Sequence, residues 1–320
     1  MICCNMYIAF QITMPQKGER SAMNKIFEAT SSYWAKYSEY EYRKGNDDIL
    51  YLTPTPKAKP TVYDPLKDGE VLVLDALNVG MLTMKRATEN ELKQAVFDFV
   101  SKYGLLGFMT ALPTTPQFMD YEAVYLPKNQ FIRAETMTTQ DYMAYFFPFG
   151  KPDFYKDKRT ARWNVANDKE MMALMMTFAD DSMAMAISLQ REYAERYDWL
   201  IEQFRDLAFI FVTSHLYYED YDKLDESQRD LYRQGMATFN GMAPSYRIAL
   251  REKKPIILWD FHSMLLGVQI MFSFMLVDEA KPLRCCKHCN NAFSSEHPSA
   301  VFCSSRCKNQ YNVYKSRDKK

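Results

Sequence analysis

The chain has 320 residues, 48% of them hydrophobic and 25% charged, a balance that excludes a disordered or collagen-like polypeptide and suffices to bury a core. Forty basic residues offset forty acidic ones, so net charge by itself selects no polyanionic partner. The distribution is uneven. From Lys281 to the last residue nine basic side chains stand against two acidic ones, and such asymmetry fits either contact with a polyanion or a solvated terminal helix.

In chain order, residues 1–15 lack the basic start and small-residue cleavage site of a signal peptide, and Met14 and Met23 offer later starts. Residues 24–44 interleave aromatic and charged side chains and read as one amphipathic helix. Pro54, Pro56, Pro60 and Pro65 then interrupt any regular helix, which makes this stretch a linker or a wrapping arm. Val71–Leu74 is a short apolar run that periodicity does not assign. Over Glu89–Tyr103, Leu92, Ala95, Val96, Phe99 and Val100 recur at three- and four-residue spacing, which predicts a helix with one buried face, stopped by Gly104.

Pro127, Lys128 and Asn129, flanked by EAVYL and QFIRA, suggest a minor β hairpin. Thr138 with Asp141 three residues on resembles a helix cap ahead of Tyr142–Phe147. Residues 168–218 form the longest helical territory, read as two helices broken around 180–182. Met171, Met172, Met175, Met176, Met183 and Met185 are read there as core filling in preference to an adaptable binding surface. Asp222–Asp230 is polar, a loop or a capped helix start, and a last long helix is expected over Ile256–Asp278. Its apolar stretch, Ser263–Val277, is interrupted by Gln269 and falls short of the roughly 18–20 residues a membrane span needs, so it reads as a buried core helix.

Of seven cysteines, Cys3 and Cys4 open the chain and the other five crowd into Cys285–Cys307, which is no disulfide framework and points to a reducing cytoplasm. The core of that cluster is C-x2-C, thirteen residues, then C-x3-C. Zinc takes four soft donors in a tetrahedron, and a two-residue spacing brings both thiolates of a tight turn onto one ion. Cys286, Cys289, Cys303 and Cys307 are the expected ligands of a closed, structural Zn2+ site, with Cys285 as the less favoured substitute for Cys286. If Ser304 caps a helix, Cys307 lies in its first turn, where unpaired N–H groups favour a thiolate. Phe293 and Phe302 are expected to pack around the ion, with His288 and His297 in supporting or solvent-facing positions. A knuckle, a short hairpin and a ligand-bearing helix describe a treble-clef-like finger.

Beyond Cys307 the helix is basic. Arg306, Asn309, Gln310 and Arg317 share much of one face, with Lys308 and Lys315 beside it. Arg, Asn and Gln are residue types that read base edges, and Lys and Arg hold phosphates, so these six are the candidate nucleic-acid contacts. The competing reading is a soluble helix whose polar residues do nothing specific.

Here the sequence resembles the bacterial CGNR-type zinc-finger proteins, in which an ABATE-like N-terminal domain precedes a C-terminal finger. Phe302-Cys303-Ser304 and Cys307-Lys308-Asn309-Gln310 stand where that family has its Cys-Ser entry and its Cys-Gly-Asn-Arg signature, with Lys308 for Gly and Gln310 for Arg. Both cysteine pairs are more closely spaced than in the family. Upstream, Leu74-Asp75-Ala76-Leu77-Asn78 resembles the family's Leu-Asp-x-x-Asn opening, and Tyr103-Gly104-Leu105-Leu106 its Gly-Leu-Leu helix end. The resemblance implies a transcription regulator.

The expected architecture is therefore mainly α. Residues 1–69 form an arm and linker, 70–280 a helical domain with a minor β hairpin, and 281–320 the finger with its basic helix. The expected function is a cytoplasmic zinc-finger protein binding DNA, with the helical domain sensing an effector or forming a homodimer, and no membrane partner. A zinc-stabilised protein-interaction module without nucleic-acid binding is the alternative. No phosphate-cradling glycine loop, G-x-S-x-G or H-E-x-x-H is present, so no enzyme is expected. His215 reads as a core histidine, Asp260 and His262 as a polar pair, and Asp75 with Asn78 as the cap of a helix start.

Overall fold

The computed structural model describes residues 30–31, 33–46, 48–85, 87–109, 122–126, 131–150, 187–239, 241, 243–251, 253–297 and 299–317. Cys3, Cys4, Met14, Met23, the methionines of 171–185 and the Pro127–Asn129 turn lie outside the described residues.

The body is built around helix α1, Gly69–Met84, whose Leu72, Val73, Ala76 and Leu77 are wholly buried. A helix apolar nearly all round has to be enclosed. Its enclosure comes from α2 (Glu89–Tyr103), α4 (Tyr197–Asp220) and α6 (Met264–Leu276). The run Val71–Leu74, unassigned from periodicity, lies in α1. The chain enters this helix through a single turn at Pro65–Asp68, where Asp64 accepts from the Leu66 N–H. Where α1 crosses α4 the backbones approach so closely that a Cβ on Gly80 would fall on the Phe204 carbonyl. Helix α2 starts at a capping box formed by Thr88 and Glu91 and ends, as expected, at Gly104 with φ 92°.

Contrary to the expected mainly α architecture, twelve strands in five small sheets stand beside seven α-helices among the described residues. The region read as an amphipathic helix and linker supplies β1 (Thr30–Ser31), β2 (Trp34–Tyr37), β3 (Tyr40–Lys44), β4 (Leu50–Pro54) and β5 (Pro60–Tyr63). Antiparallel pairing joins β2 to β5 and β3 to β4, and β4 pairs in turn with β8 (Glu195–Arg196) through Leu52 and Glu195. Tyr40-Glu41-Tyr42-Arg43 alternates aromatic with charged, the period of a half-buried strand. Trp34, Tyr37, Tyr40 and Leu52 are buried in the same core as α1. Pro54 and Pro60 sit at strand ends, where a missing ladder donor is tolerated.

The hairpin expected between EAVYL and QFIRA is corrected: β6 (Ala123–Tyr125) pairs antiparallel with β7 (Thr136–Thr138), which lies beyond QFIRA. Thr138 caps the short α3 (Thr139–Ala144) by accepting from the Asp141 N–H, as the sequence predicts. Asp225 and Gln228 form a capping box for α5 (Glu226–Ala237). The long helix expected over Ile256–Asp278 is corrected: Lys254–Asp260 is β10, paired antiparallel with β9 (Ser245–Arg251) and parallel with β1. Ile256, Ile257 and Trp259 are β-formers, and the helix begins only at Met264, behind the Ser263 cap. Among the described residues no helix is long and apolar enough to cross a membrane.

One buried acid organises the join between sheet and helices. Glu195 on β8 has no exposed surface, and its carboxyl accepts from the backbone N–H groups of Leu106 (2.8 Å), Gly107 (2.5 Å) and Phe108 (3.0 Å) and from the Tyr193 hydroxyl (2.7 Å). It thereby fixes the loop that follows Gly104. Burial pushes its pKa up to about 7 against the pull of these four donors.

Candidate metal centre and basic helix

The last unit comprises β11 (Leu283–Cys285), β12 (Ala292–Ser294) and α7 (Ser305–Arg317). Between the strands, the chain reverses through a knuckle in which Asn290 adopts φ 54° and donates to the Cys286 carbonyl at 2.8 Å. Asn tolerates this left-handed conformation better than most residues. On the other side, the Ser304 hydroxyl accepts from the Cys307 N–H at 3.2 Å, which caps α7 and places Cys307 in its first turn.

These two devices bring Cys286, Cys289, Cys303 and Cys307 together, with all four sulfur atoms within 4.8 Å of one another. Cys289 Sγ lies 3.7 Å from Cys303 Sγ, and Cys303 Sγ 3.5 Å from Cys307 Sγ. A tetrahedron with metal–sulfur bonds of ~2.3 Å has edges of about 3.8 Å. The donor set therefore fits a metal ion with four thiolate ligands and no position left for water. Cys285 is half-buried on β11 and stands outside the four-sulfur cluster.

The electrostatics of the cluster point the same way. Burial raises the Cys286 thiol, but N–H groups of Cys289, Cys303 and His288 outweigh it and bring the pKa down to about 6. Burial and the neighbouring sulfurs push Cys303 up to about 12, because adjacent thiolates repel unless a cation lies between them. Lys85, at the end of α1, sits in the field of these sulfurs and adds positive charge beside the knuckle.

The unit docks on the body through its hairpin. The Asn78 side chain accepts from the Ala292 N–H at 2.8 Å and donates to the Ala292 carbonyl at 3.2 Å, so it satisfies the free edge of β12 as a neighbouring strand would. Lys85 donates to Asn291 Oδ1 at 2.6 Å, Lys281 pairs with Glu70 at 2.7 Å, and Ser294 donates to the same carboxylate. Asp75 and Asn78 are thus not a cap, as the sequence suggested, since α1 starts at Gly69. Asp75 instead accepts from Lys102 and Tyr103 of α2, both at 2.7 Å. The role of Asn78 was invisible in the sequence, because its partner lies 214 residues away.

Docking by the hairpin leaves α7 in solvent, with no buried residue. Arg306, Lys308, Asn309, Lys315 and Arg317 are exposed, while Gln310 is half-buried with its Oε1 3.1 Å from His288 Nε2. The His288 ring stacks on Tyr314 with centroids 5.7 Å apart, and Phe302 packs on Tyr311 at 5.2 Å. Phe293 is buried, and His297 faces solvent. Elsewhere, His215 stacks on Phe211 and lies 3.5 Å from Glu219, and His262 Nδ1 is 3.9 Å from Asp260 Oδ1.

A four-cysteine, metal-competent finger carried by a mixed α/β body is the class these features define. Comparison with family models, curated proteins and solved structures gave no match for the chain.

Proposed function

We propose that this protein is a zinc-finger protein that binds nucleic acid through α7, with DNA as the expected partner and Zn2+ held by Cys286, Cys289, Cys303 and Cys307. The reading includes a divergent relationship to the CGNR-type proteins and a regulatory role. Four thiolates at tetrahedral spacing suit zinc, which is bound in such closed sites to hold a fold together. The observation that carries the nucleic-acid reading is the exposure of α7. Its cations Arg306, Lys308, Lys315 and Arg317 project into solvent with no carboxylate partner among the described residues, while the finger is anchored by its opposite side.

Lys308, Lys315, Arg306 and Arg317 hold phosphates in this reading, and Asn309 faces a base edge. Gln310 is positioned by His288 and supports the helix from within the finger. Selection from a random duplex library at two salt concentrations, with metal analysis of the same preparation, tests the proposal. One zinc per chain and affinity falling steeply with salt are expected, with the salt slope reduced by about 1 for each of Lys308→Ala and Arg317→Ala. Binding indifferent to ionic strength and to both substitutions overturns the nucleic-acid reading in favour of a protein-interaction module. A preparation without zinc overturns the metal assignment.

A further inference from the structure

A second candidate site lies in the body, between α4, the end of α5 and α6. It is a cavity of about 190 Å³, more than ten times the roughly 10–15 Å³ that a single water requires. One wall is a stripe of α4, where Gln203, Leu207 and Ile210 follow one another at helical spacing. Gln269 of α6 faces it.

The polar groups here are out of place for a core. Gln203 is only 4% exposed, yet its side chain makes no hydrogen bond among the described residues. Gln269 Oε1 is fully buried and has no partner either. Leaving Gln269 Oε1 buried without a donor carries a desolvation cost. Leucine at both positions would fill the same volume without it. The arrangement makes sense where a ligand supplies the missing partners.

The chemistry of the walls narrows the ligand. A carboxamide presents one donor edge and one acceptor edge in a plane, and it pairs best with a group offering the complementary two. Phe209 and Phe239 add aromatic surface at the same cavity, suited to a flat ring. Thr238 stands exposed at the mouth and leaves a way in from solvent.

We propose that the cavity between α4 and α6 binds a small, planar heterocycle with adjacent donor and acceptor edges, of the nucleobase type, held by the carboxamides of Gln203 and Gln269. Both helices pack on α1, the helix that also holds the finger through Asn78, so the site is placed to report on the finger's anchor. This extends the regulatory reading above by naming the class of effector, and it stands or falls separately from nucleic-acid binding.

Calorimetric titration of the full zinc-loaded chain with free adenine, guanine, cytosine and uracil, each to 1 mM, tests the proposal. Saturable binding of at least one base is expected. It should weaken at least tenfold in Gln203→Leu and in Gln269→Leu, and be blocked in Thr238→Trp, which plugs the mouth from an exposed position without disturbing the core. The leucine variants should keep or raise the melting temperature, which separates loss of a ligand contact from loss of the fold. No saturable binding by any of the four bases, or binding unchanged in Thr238→Trp and in the double leucine variant, overturns the proposal. Either result leaves the finger's DNA affinity, measured on the same preparations, as an independent readout.

Discussion

The body and the finger of this protein are held together by different physics. In the body, Leu52, Leu72, Leu77, Tyr142, Phe204 and Phe272 are enclosed to 1% exposure or less, and stability comes from apolar area withdrawn from water. In the finger, between Leu283 and Arg317, only Cys286, Ala292 and Phe293 are buried among the described residues, too little for a unit of that size to fold by burial alone. Four sulfurs and a docking hairpin take the place of a core. The body satisfies the wholly buried carboxyl of Glu195 internally, through three backbone N–H groups and the Tyr193 hydroxyl, whereas the sulfur cluster is a set of donors that a metal ion could bridge. One region carries its own stability and the other borrows it.

Metal withdrawal should separate the two regions most strongly. Chelation, or Cys303→Ser, should cost the finger its structure outright, since structural zinc supplies roughly 10–16 kcal/mol of apparent folding free energy in small fingers. No tryptophan lies beyond Trp259, so tryptophan fluorescence reports the body alone. It should remain native while amide exchange in 283–317 accelerates to the unstructured rate. Loss of the native fluorescence together with the metal would show that the body leans on the finger.

Next in size is Gly80→Ala. The added methyl meets the Phe204 carbonyl, a backbone atom that cannot rotate away, so α1 and α4 must separate. A loss of about 3 kcal/mol in denaturant unfolding followed by tryptophan fluorescence is expected, with zinc content unchanged.

Glu195→Gln should cost the body about 2 kcal/mol, because the amide N–H group faces backbone donors whichever way it turns. The pH dependence sharpens the point. The folded pKa is raised to about 7 from an ordinary 4.5, so between these values the folded state binds more protons than the unfolded one. The stabilisation is complete below pH 4.5 and is lost as pH rises through about 7. Thermal melts of the body between pH 4.5 and 8 should show this decline in the wild type and not in Glu195→Gln.

The smallest effect tests the joint between the regions. Asn78→Ala strips both partners from the Ala292 backbone and should weaken docking by about 1 kcal/mol. Limited proteolysis should then cut sooner around Lys281–Leu283, with metal binding intact. An unchanged digestion pattern would mean that Lys85 and Glu70 hold the hairpin without it.

Local patterns were legible where one short stretch of chain carries the whole signal. The helix over Glu89–Tyr103 and its stop at Gly104 follow from apolar spacing and one glycine, and the Thr138 cap from a residue and its neighbour three places on. The sulfur cluster was legible for the same reason, because each cysteine pair is a local turn and the metal geometry dictates the rest. Tyr40–Lys44 and Ile256–Asp260, expected as helix, are strand. Each becomes a strand by pairing, β3 with β4 and β10 with β9 and β1, with partners that lie outside the segment itself.

What the sequence determined by itself is thus the four-cysteine centre and the basic helix behind it, since both depend on spacing within one segment. Tertiary structure alone decided which side of the finger faces water. That choice rests on Glu70 and Asn78 of α1, and Lys85 just after it, meeting the hairpin and the residue ahead of it from more than 200 residues away, contacts that neither segment discloses alone. A local pattern can specify a ligand set, but the exposure of a surface is fixed only when the rest of the chain has packed against the other side.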